Sequence, residues 1–255
     1  MSPMMHQHPL CLALAATLGL GACDAMTDDS YRGESLLSLR GDVHNGRSTI
    51  PQDVHIYLVW YSLGYIPAVA EELEIEPTFP ATFRLQVFNT PPVHPLDGPY
   101  SIPAAYPRLN LAQVVAATPD ALFDTFYGYP WLDTDPHVLG ADMRHFIYYM
   151  PDGLAEGTLG ANLFHGATSP GFHVYDIKCI SPAKRAEIQA CLEQYRAYGP
   201  PFNTPEDFSL VMGACGSVNP DTPSLMPAAD DLETELTVDL LDDLQSWKPD
   251  PSECL

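Results

Sequence analysis

Positively charged residues are scarce in this sequence. Its 11 lysines and arginines stand against 33 aspartates and glutamates, which gives a net charge of −22 at pH 7. A chain this acidic repels phosphate backbones, which argues against nucleic acid as a partner, and it also repels anionic lipid surfaces. We therefore expect any membrane attachment to depend on something other than surface charge.

Recognisable catalytic and metal-binding motifs are also lacking. The sequence has no HExxH, no CxxC pair, no G-x-S-x-G and no internal repeat of fixed period. These absences argue against the common zinc hydrolases, zinc ribbons, α/β-hydrolases and solenoids. They lead us to expect a protein that is not an enzyme and has no cofactor.

One apolar run stands out near the start of the chain. Residues 10–20 are apolar apart from Thr17, and no second run long enough to cross a membrane follows. The run suits the hydrophobic region of a signal peptide and is too short to span a bilayer. It ends in LGAC, residues 20–23, which resembles the lipobox of bacterial lipoproteins. In that family a peptidase cuts before the cysteine, whose thiol carries a diacylglyceryl group.

The lipobox resemblance implies a division of the chain into three parts. Residues 1–22 are a lipoprotein signal peptide, removed between Ala22 and Cys23. Residues 23–35 are the lipidated cysteine and a flexible acidic tether, and residues 36–255 form a single β-rich domain with long proline-rich loops. The implied location is the bacterial cell envelope, at the outer or inner membrane, facing the periplasm or the surface. An ordinary secretory signal and a buried hydrophobic helix are the alternatives.

Four cysteines follow the predicted tether, namely Cys179, Cys191, Cys215 and Cys254. An even number of cysteines in an exported protein predicts two disulfides. A zinc site is the alternative, although the spacings are long. Of the three pairings that four cysteines permit, we favour Cys179–Cys191 and Cys215–Cys254, because the first would clamp a strand end to the following helix.

Apolar and polar residues alternate with period two along most of the domain, which predicts strands. The predicted strands are Leu36–Val43, Asp53–Ser62, Thr82–Asn89, Arg144–Pro151, Gly171–Cys179, Phe208–Gly213 and Glu233–Leu241. The segment Arg108–Thr118 is ambiguous between helix and strand, and a helix is the alternative for Glu233–Leu241. Ser181 and Pro182 suit the start of one amphipathic helix near residues 182–198. Together these elements predict a mainly β fold, an antiparallel β-sandwich of immunoglobulin or transthyretin type.

Three stretches of the domain resemble a wider group of proteins. They are YRGESLLSLRGDV just after the lipobox, RHFIYYMPDGLAEGTLGANLFHG with the following SPGFHVYDIKC, and the closing ETELTVDLLDD. They look like uncharacterised lipoproteins from myxobacteria and their relatives. That family has no assigned activity, so the resemblance implies the anchor and the fold and no catalytic residue.

Two loop segments are the candidates for binding. Asp133, Asp135 and His137 predict an Asx-type turn, because their stretch lacks the glycine and distal glutamate of an EF-hand, and a weak Ca²⁺ site is the alternative. The aromatic stretch Phe126–Trp131 suits packing over the end of the sandwich, with a stacking surface for a glycan or peptide as the alternative. We expect a binding or structural role toward an envelope protein or glycan. The alternative is a secreted-type hydrolase, cation-dependent in one version, that uses the Asp and His groups of 133–145.

Overall fold

The alternating segments of the sequence form strands in the computed structural model. The strands are β1 (Leu37–Asn45), β2 (Val54–Tyr61), β3 (Ala68–Ile75), β4 (Ala81–Val87), β5 (Asn110–Ala117), β6 (Val138–Ala141), β7 (His145–Met150), β8 (Gly171–Lys178), β9 (Ser224–Pro227) and β10 (Glu235–Leu240). One long helix, α1 (Pro182–Tyr198), follows β8. The predictions of a mainly β fold and of a helix near 182–198 are confirmed.

The structure describes residues 32–61, 68–91, 110–121, 123, 135–157, 161, 164–198, 207, 210–211, 214–216 and 224–255. A compact unit spans Leu36–Leu255. The predicted signal peptide, Cys23, Asp133 and the aromatic stretch 126–131 lie outside these residues. No helix within the described ranges has the length and apolar character needed to cross a membrane.

Hydrogen bonds join the strands in the order β4-β1-β10-β6-β5-β7-β8-β9, with β2 paired to β5 and β3 paired to β2. The sheet is mixed, so the expectation of a purely antiparallel arrangement was wrong at one pair. Strands β1 and β10 run parallel, from Arg40 opposite Glu235 to Asn45 opposite Leu240. Parallel neighbours need a long connection between them, and nearly the whole domain separates these two strands in sequence. No local pattern reports a pairing over that distance.

The main hydrophobic cluster combines side chains from two groups of strands. Leu39 of β1 and Val238 of β10 belong to it together with Ile56 of β2 and Val114 of β5. A Cβ atom at Gly41 would collide with the carbonyl oxygen of Leu236, so glycine lets β1 and β10 approach closely. Burial of both groups in one cluster supports the β-sandwich, which stays a prediction.

Strand β5 explains why Arg108–Thr118 was ambiguous. Val114 and Ala116 belong to the main cluster, whereas Val115 and Ala117 belong to a second cluster on the other face. A strand that is buried on both faces reads as a continuous apolar run and loses the period-two signal. The segment is a strand because it lies between β2 and its neighbours β6 and β7.

The predicted strand Phe208–Gly213 was wrong. Its described residues Leu210 and Val211 are helical. Val211 and Cys215 are four residues apart, which places them on one helical face, and they pack with Ile188 of α1. Contact with α1 therefore outweighs the short alternation of the sequence.

Three strands were not predicted. Strands β6 and β9 have four residues each, too few to show a period. Strand β3 pairs with β2 alone among the described strands and exposes glutamates, and charged side chains on such an edge hinder pairing with another chain.

The disulfides join Cys179 to Cys254 and Cys191 to Cys215, so the favoured pairing was wrong although the prediction of two disulfides is confirmed. The chain end returns to the junction of β8 and α1. The N–H of Leu255 donates to the carbonyl oxygen of Cys179 at 2.9 Å, which brings Cys254 beside Cys179. Cys191 belongs instead to the face of α1 that packs against Val211 and Cys215.

Non-reducing peptide mapping tests this pairing. Trypsin together with a protease that cleaves after glutamate should yield one linked peptide containing Cys179 and Cys254 and another containing Cys191 and Cys215. In the chain-entropy model, loops of 75 and 24 residues are stabilised by roughly 4.5 and 3.4 kcal/mol. The double change Cys179→Ala with Cys254→Ala should therefore lower the free energy of unfolding more than Cys191→Ala with Cys215→Ala. A peptide linking Cys179 to Cys191 would contradict the structure.

Candidate functional site

The predicted cation-binding stretch forms a turn where it is described. Oδ1 of Asp135 accepts a hydrogen bond of 2.9 Å from the N–H of His137, which is the Asx turn considered above. Nδ1 of His137 lies 3.1 Å from Oγ1 of Thr118. No group of three or more His, Cys, Asp or Glu side chains suited to a metal occurs among the described residues. Ca²⁺ binding at this stretch stays a prediction.

A buried carboxylate lies a few residues further on, between β6 and β7. Asp142 is completely buried. Its Oδ1 accepts from the N–H groups of Arg144 at 2.8 Å and His145 at 3.1 Å. Its Oδ2 accepts from the N–H of Thr237 at 3.1 Å and lies 2.8 Å from Nδ1 of His145. A carboxylate is tolerated in such a place only when donors surround it, and these four donors join the β6–β7 turn to β10.

His145 continues this network across the sheet. Its Nε2 lies 3.6 Å from Oδ1 of Asp176 on β8, and Oδ2 of Asp176 lies 3.0 Å from Nζ of Lys178. Carboxylates therefore stand beside both nitrogens of the His145 ring, whose side chain is only 12% exposed. We call Asp142, His145, Asp176 and Lys178 the Asp142 network. Its geometry holds strands together, and both ring nitrogens of His145 face carboxylates.

The side chain of Arg144 makes a separate set of contacts. NH1 of Arg144 lies 2.7 Å from Oδ2 of Asp239 on β10, and the guanidinium carbon lies 5.7 Å from the ring centroid of Trp247. Oδ1 of Asp239 lies 3.9 Å from Nδ1 of His44 on β1. A partly buried ion pair that also stacks on an aromatic ring contributes more than an exposed one. It fixes the C-terminal segment that carries Trp247 to the sheet.

A second histidine is held in a similar way. Nδ1 of His173 lies 3.0 Å from Oδ2 of Asp231, and Nε2 lies 2.8 Å from the carbonyl oxygen of Ser169. Oδ1 of Asp231 accepts from the N–H of Val174 at 2.8 Å. Both ring nitrogens of His173 thus bond to the fold. Asp231 ties the segment before β10 to β8.

The acidic edge strand β3 perturbs a tyrosine. The hydroxyl of Tyr57 on β2 donates to Oε1 of Glu72 at 3.2 Å. Nδ1 of His55 lies 2.7 Å from the same oxygen but is not aligned for a hydrogen bond. The ring of Tyr57 packs edge-on against Phe123. Burial, followed by the charge of Glu72 and the hydrogen bond to it, raises the pKa of Tyr57 to about 12.

The sequence predictions identified only part of this arrangement. The four paired cysteines were singled out, and Asp135 and His137 were placed in a turn. The Asp142 network was missed, because Asp142 and His145 are far in sequence from Asp176 and Lys178. The spacing Asp-x-x-His before a strand is the one local signal for it, since an aspartate often accepts from the N–H groups two and three residues later.

Comparisons with known proteins found no match, so inference about the function of this chain rests on its fold and on these clusters. No protein-family model, no curated protein and no solved structure matches this chain. The resemblance to myxobacterial lipoproteins therefore stays an expectation.

The change Asp142→Asn tests whether the Asp142 network supports the fold. An amide would place an NH₂ group against some of the four donors that now face the carboxylate. We expect a loss of about 3 kcal/mol in the free energy of unfolding, measured by urea denaturation. The exposed change Glu187→Gln, which removes a surface ion pair with Lys184, is the matched control and should cost less than about 0.5 kcal/mol. Equal effects of the two changes would contradict the role of Asp142.

The change Tyr57→Phe tests the raised pKa at the edge strand. Because the folded state holds the Tyr57 proton to about pH 12, the unfolded chain loses it first, near pH 10. The stability that this proton contributes is present below pH 10 and is lost as the pH rises toward 12. The difference in unfolding free energy between wild type and Tyr57→Phe should therefore shrink between pH 9.5 and pH 11.5. A constant difference over that range would show that Tyr57 titrates as in the unfolded chain.

Proposed function

We propose that the protein is an exported envelope lipoprotein, anchored through a lipid on Cys23, whose β domain has a binding or structural role. The disulfides Cys179–Cys254 and Cys191–Cys215 are the observation that carries the proposal. Such bonds form and persist in oxidising compartments, which include the periplasm and the cell surface. They use the four cysteines that follow Cys23, so Cys23 is left for the lipid.

The charge of the chain explains why an anchor would be needed. Residues 1–22 carry no formal charge, so the predicted mature chain keeps the whole net charge of −22. Anionic lipid headgroups repel such a domain. Each buried methylene contributes about 0.8 kcal/mol, so two or three acyl chains hold a protein durably where a single chain does not. The covalent lipid would thus hold the protein beside a membrane, while charge repulsion would keep the acidic domain from adsorbing to the membrane surface.

The side-chain geometry of Asp135, His137, Asp142 and His145 favours the binding role over a hydrolase that uses the 133–145 region. Asp135 and His137 lie in the 133–145 region that the alternative requires. They bond to their own turn and to Thr118. Asp142 and His145, in the same region, bond to each other and to the backbone. Groups committed in this way support a rigid scaffold that presents its loops to an envelope protein or a glycan.

The change Cys23→Ala tests the anchor. Wild-type protein expressed in a bacterial host should incorporate a clickable palmitate analogue and remain with membranes after washing in high salt. Cys23→Ala should incorporate none and appear in the soluble fraction, because no thiol remains for the diacylglyceryl group. The change Cys11→Ala is the matched control, since it alters a cysteine of the apolar run without changing the lipobox, and it should behave like wild type.

Membrane retention of Cys23→Ala together with an unlabelled wild type would refute the anchor. The binding role has its own readout. After crosslinking in intact cells and detergent extraction, a discrete envelope protein or glycan should copurify with the wild type and be lost when residues 126–131 are replaced by glycine and serine. Crosslinking that is unchanged by that replacement would refute binding through the aromatic stretch.

A further inference from the structure

His165 and Ser224 form a hydrogen-bonded pair outside the clusters described above. Nε2 of His165 lies 2.9 Å from Oγ of Ser224. Phe164, the residue before His165, is buried against Tyr148 and Tyr175. Ser224 begins β9, the last strand in the sheet order. The pair therefore lies where a surface segment anchored in the core meets the edge of the sheet, and His165 is exposed to solvent.

The backbone at His165 is held in an unusual conformation. Its φ of +56° lies in the left-handed region, which is unfavourable for residues other than glycine. Two contacts hold it there, namely the aromatic packing of Phe164 and the hydrogen bond of 2.8 Å from the N–H of Gly166 to the carbonyl oxygen of Ala161. Backbone strain of this kind concentrates at functional sites, where it aims a side chain. Here it accompanies an imidazole that meets a hydroxyl.

The protonation state of His165 suits a base. Partial desolvation of the ring lowers the pKa of His165 below its ordinary value of 6.5, so the ring is neutral at pH 7. A neutral ring whose Nδ1 carries the proton presents the lone pair of Nε2 to the Ser224 hydroxyl. The hydroxyl can then donate to Nε2, which is the first requirement for activating a serine.

Lys178 is the antiparallel partner of Ser224, so the two side chains project from the same face of the sheet at neighbouring positions. Asp176 holds the ammonium group of Lys178 at 3.0 Å. A fixed positive charge beside a reacting oxygen stabilises the negative charge that develops there.

We propose that Ser224 is a nucleophile activated by His165, that Lys178 stabilises the oxyanion, and that the site accepts carboxylic esters. Oγ of Ser224 bonds to the ester carbonyl carbon while Nε2 of His165 takes the hydroxyl proton. The bond from that carbon to the leaving oxygen then breaks, and His165 returns the proton to the alcohol. Water hydrolyses the acyl-serine with His165 as base. This activity goes beyond the anchoring and binding role and uses no residue of 133–145.

A fluorophosphonate probe tests the nucleophile on the detergent-extracted full protein. Oγ of Ser224 should bond to phosphorus as fluoride leaves and His165 takes the proton, adding one phosphonyl group per chain that maps to Ser224 by mass spectrometry. Ser224→Ala should abolish labelling, and His165→Gln should slow it by roughly 100-fold or more. Ser169→Ala is the matched control, because Ser169 is an exposed serine nearby whose backbone carbonyl, not its side chain, contacts His173. It should label like wild type.

Two further measurements separate catalysis from a structural hydrogen bond. The labelling rate of wild type should rise with pH to a plateau, with a midpoint below 6.5, and this dependence should vanish in His165→Gln. Turnover of p-nitrophenyl acetate should fall in Lys178→Gln and recover in Lys178→Arg. The proposal is overturned if folded wild type is not labelled, or if Ser224→Ala is labelled at the wild-type rate. Neither result bears on lipidation of Cys23, so the two proposals fail independently.

Discussion

The buried carboxylate of Asp142 is the constraint on which the centre of this fold depends. Among the acidic side chains in the described part of the chain, it is the one that is completely buried. Both of its oxygens accept hydrogen bonds. The hydrogen bonds from Arg144 and His145 shape the turn between β6 and β7. The hydrogen bond from Thr237 fixes the position of β10 relative to this turn. The backbone of Asp142 also takes part, since its carbonyl oxygen accepts from the buried side chain of Gln113 on β5. One residue therefore sets the relation of four strands.

Around this point, contacts between carboxylates and basic side chains hold the strands of an acidic protein together. The Asp142 network joins β7 to β8, and the Arg144–Asp239 pair joins the start of β7 to β10. His173 and Asp231 join β8 to the segment before β10. With a net charge of −22, each lysine or arginine placed among carboxylates also relieves repulsion within the folded chain. Arg144 and Arg40 are thus placed where they join different strands.

The histidines that support the fold differ in their contacts from the histidine of the proposed catalytic site. His145 and His173 have both ring nitrogens engaged by the fold, which gives them a positioning role. His165 instead meets a single hydroxyl at the sheet edge, from a strained backbone and with a lowered pKa. The proposed lipid on Cys23 would hold the domain at a membrane, and the proposed Ser224 site would act there on esters. These are separate properties, since different parts of the chain carry them.

The sequence by itself determined the features that repeat over short distances. Period-two alternation located β1, β2, β4, β7, β8 and β10, Ser181 marked the start of α1, where it accepts from the N–H of Lys184, and the cysteine count predicted two disulfides. Only the tertiary structure decided which distant residues meet. The parallel pairing of β1 with β10, the pairing of Cys179 with Cys254 and the contact of His165 with Ser224 span 59 residues or more. Local patterns relate a residue to neighbours two to four positions away, and so indicate which face of a strand or helix its side chain occupies. The long-range contacts depend instead on how whole strands pack.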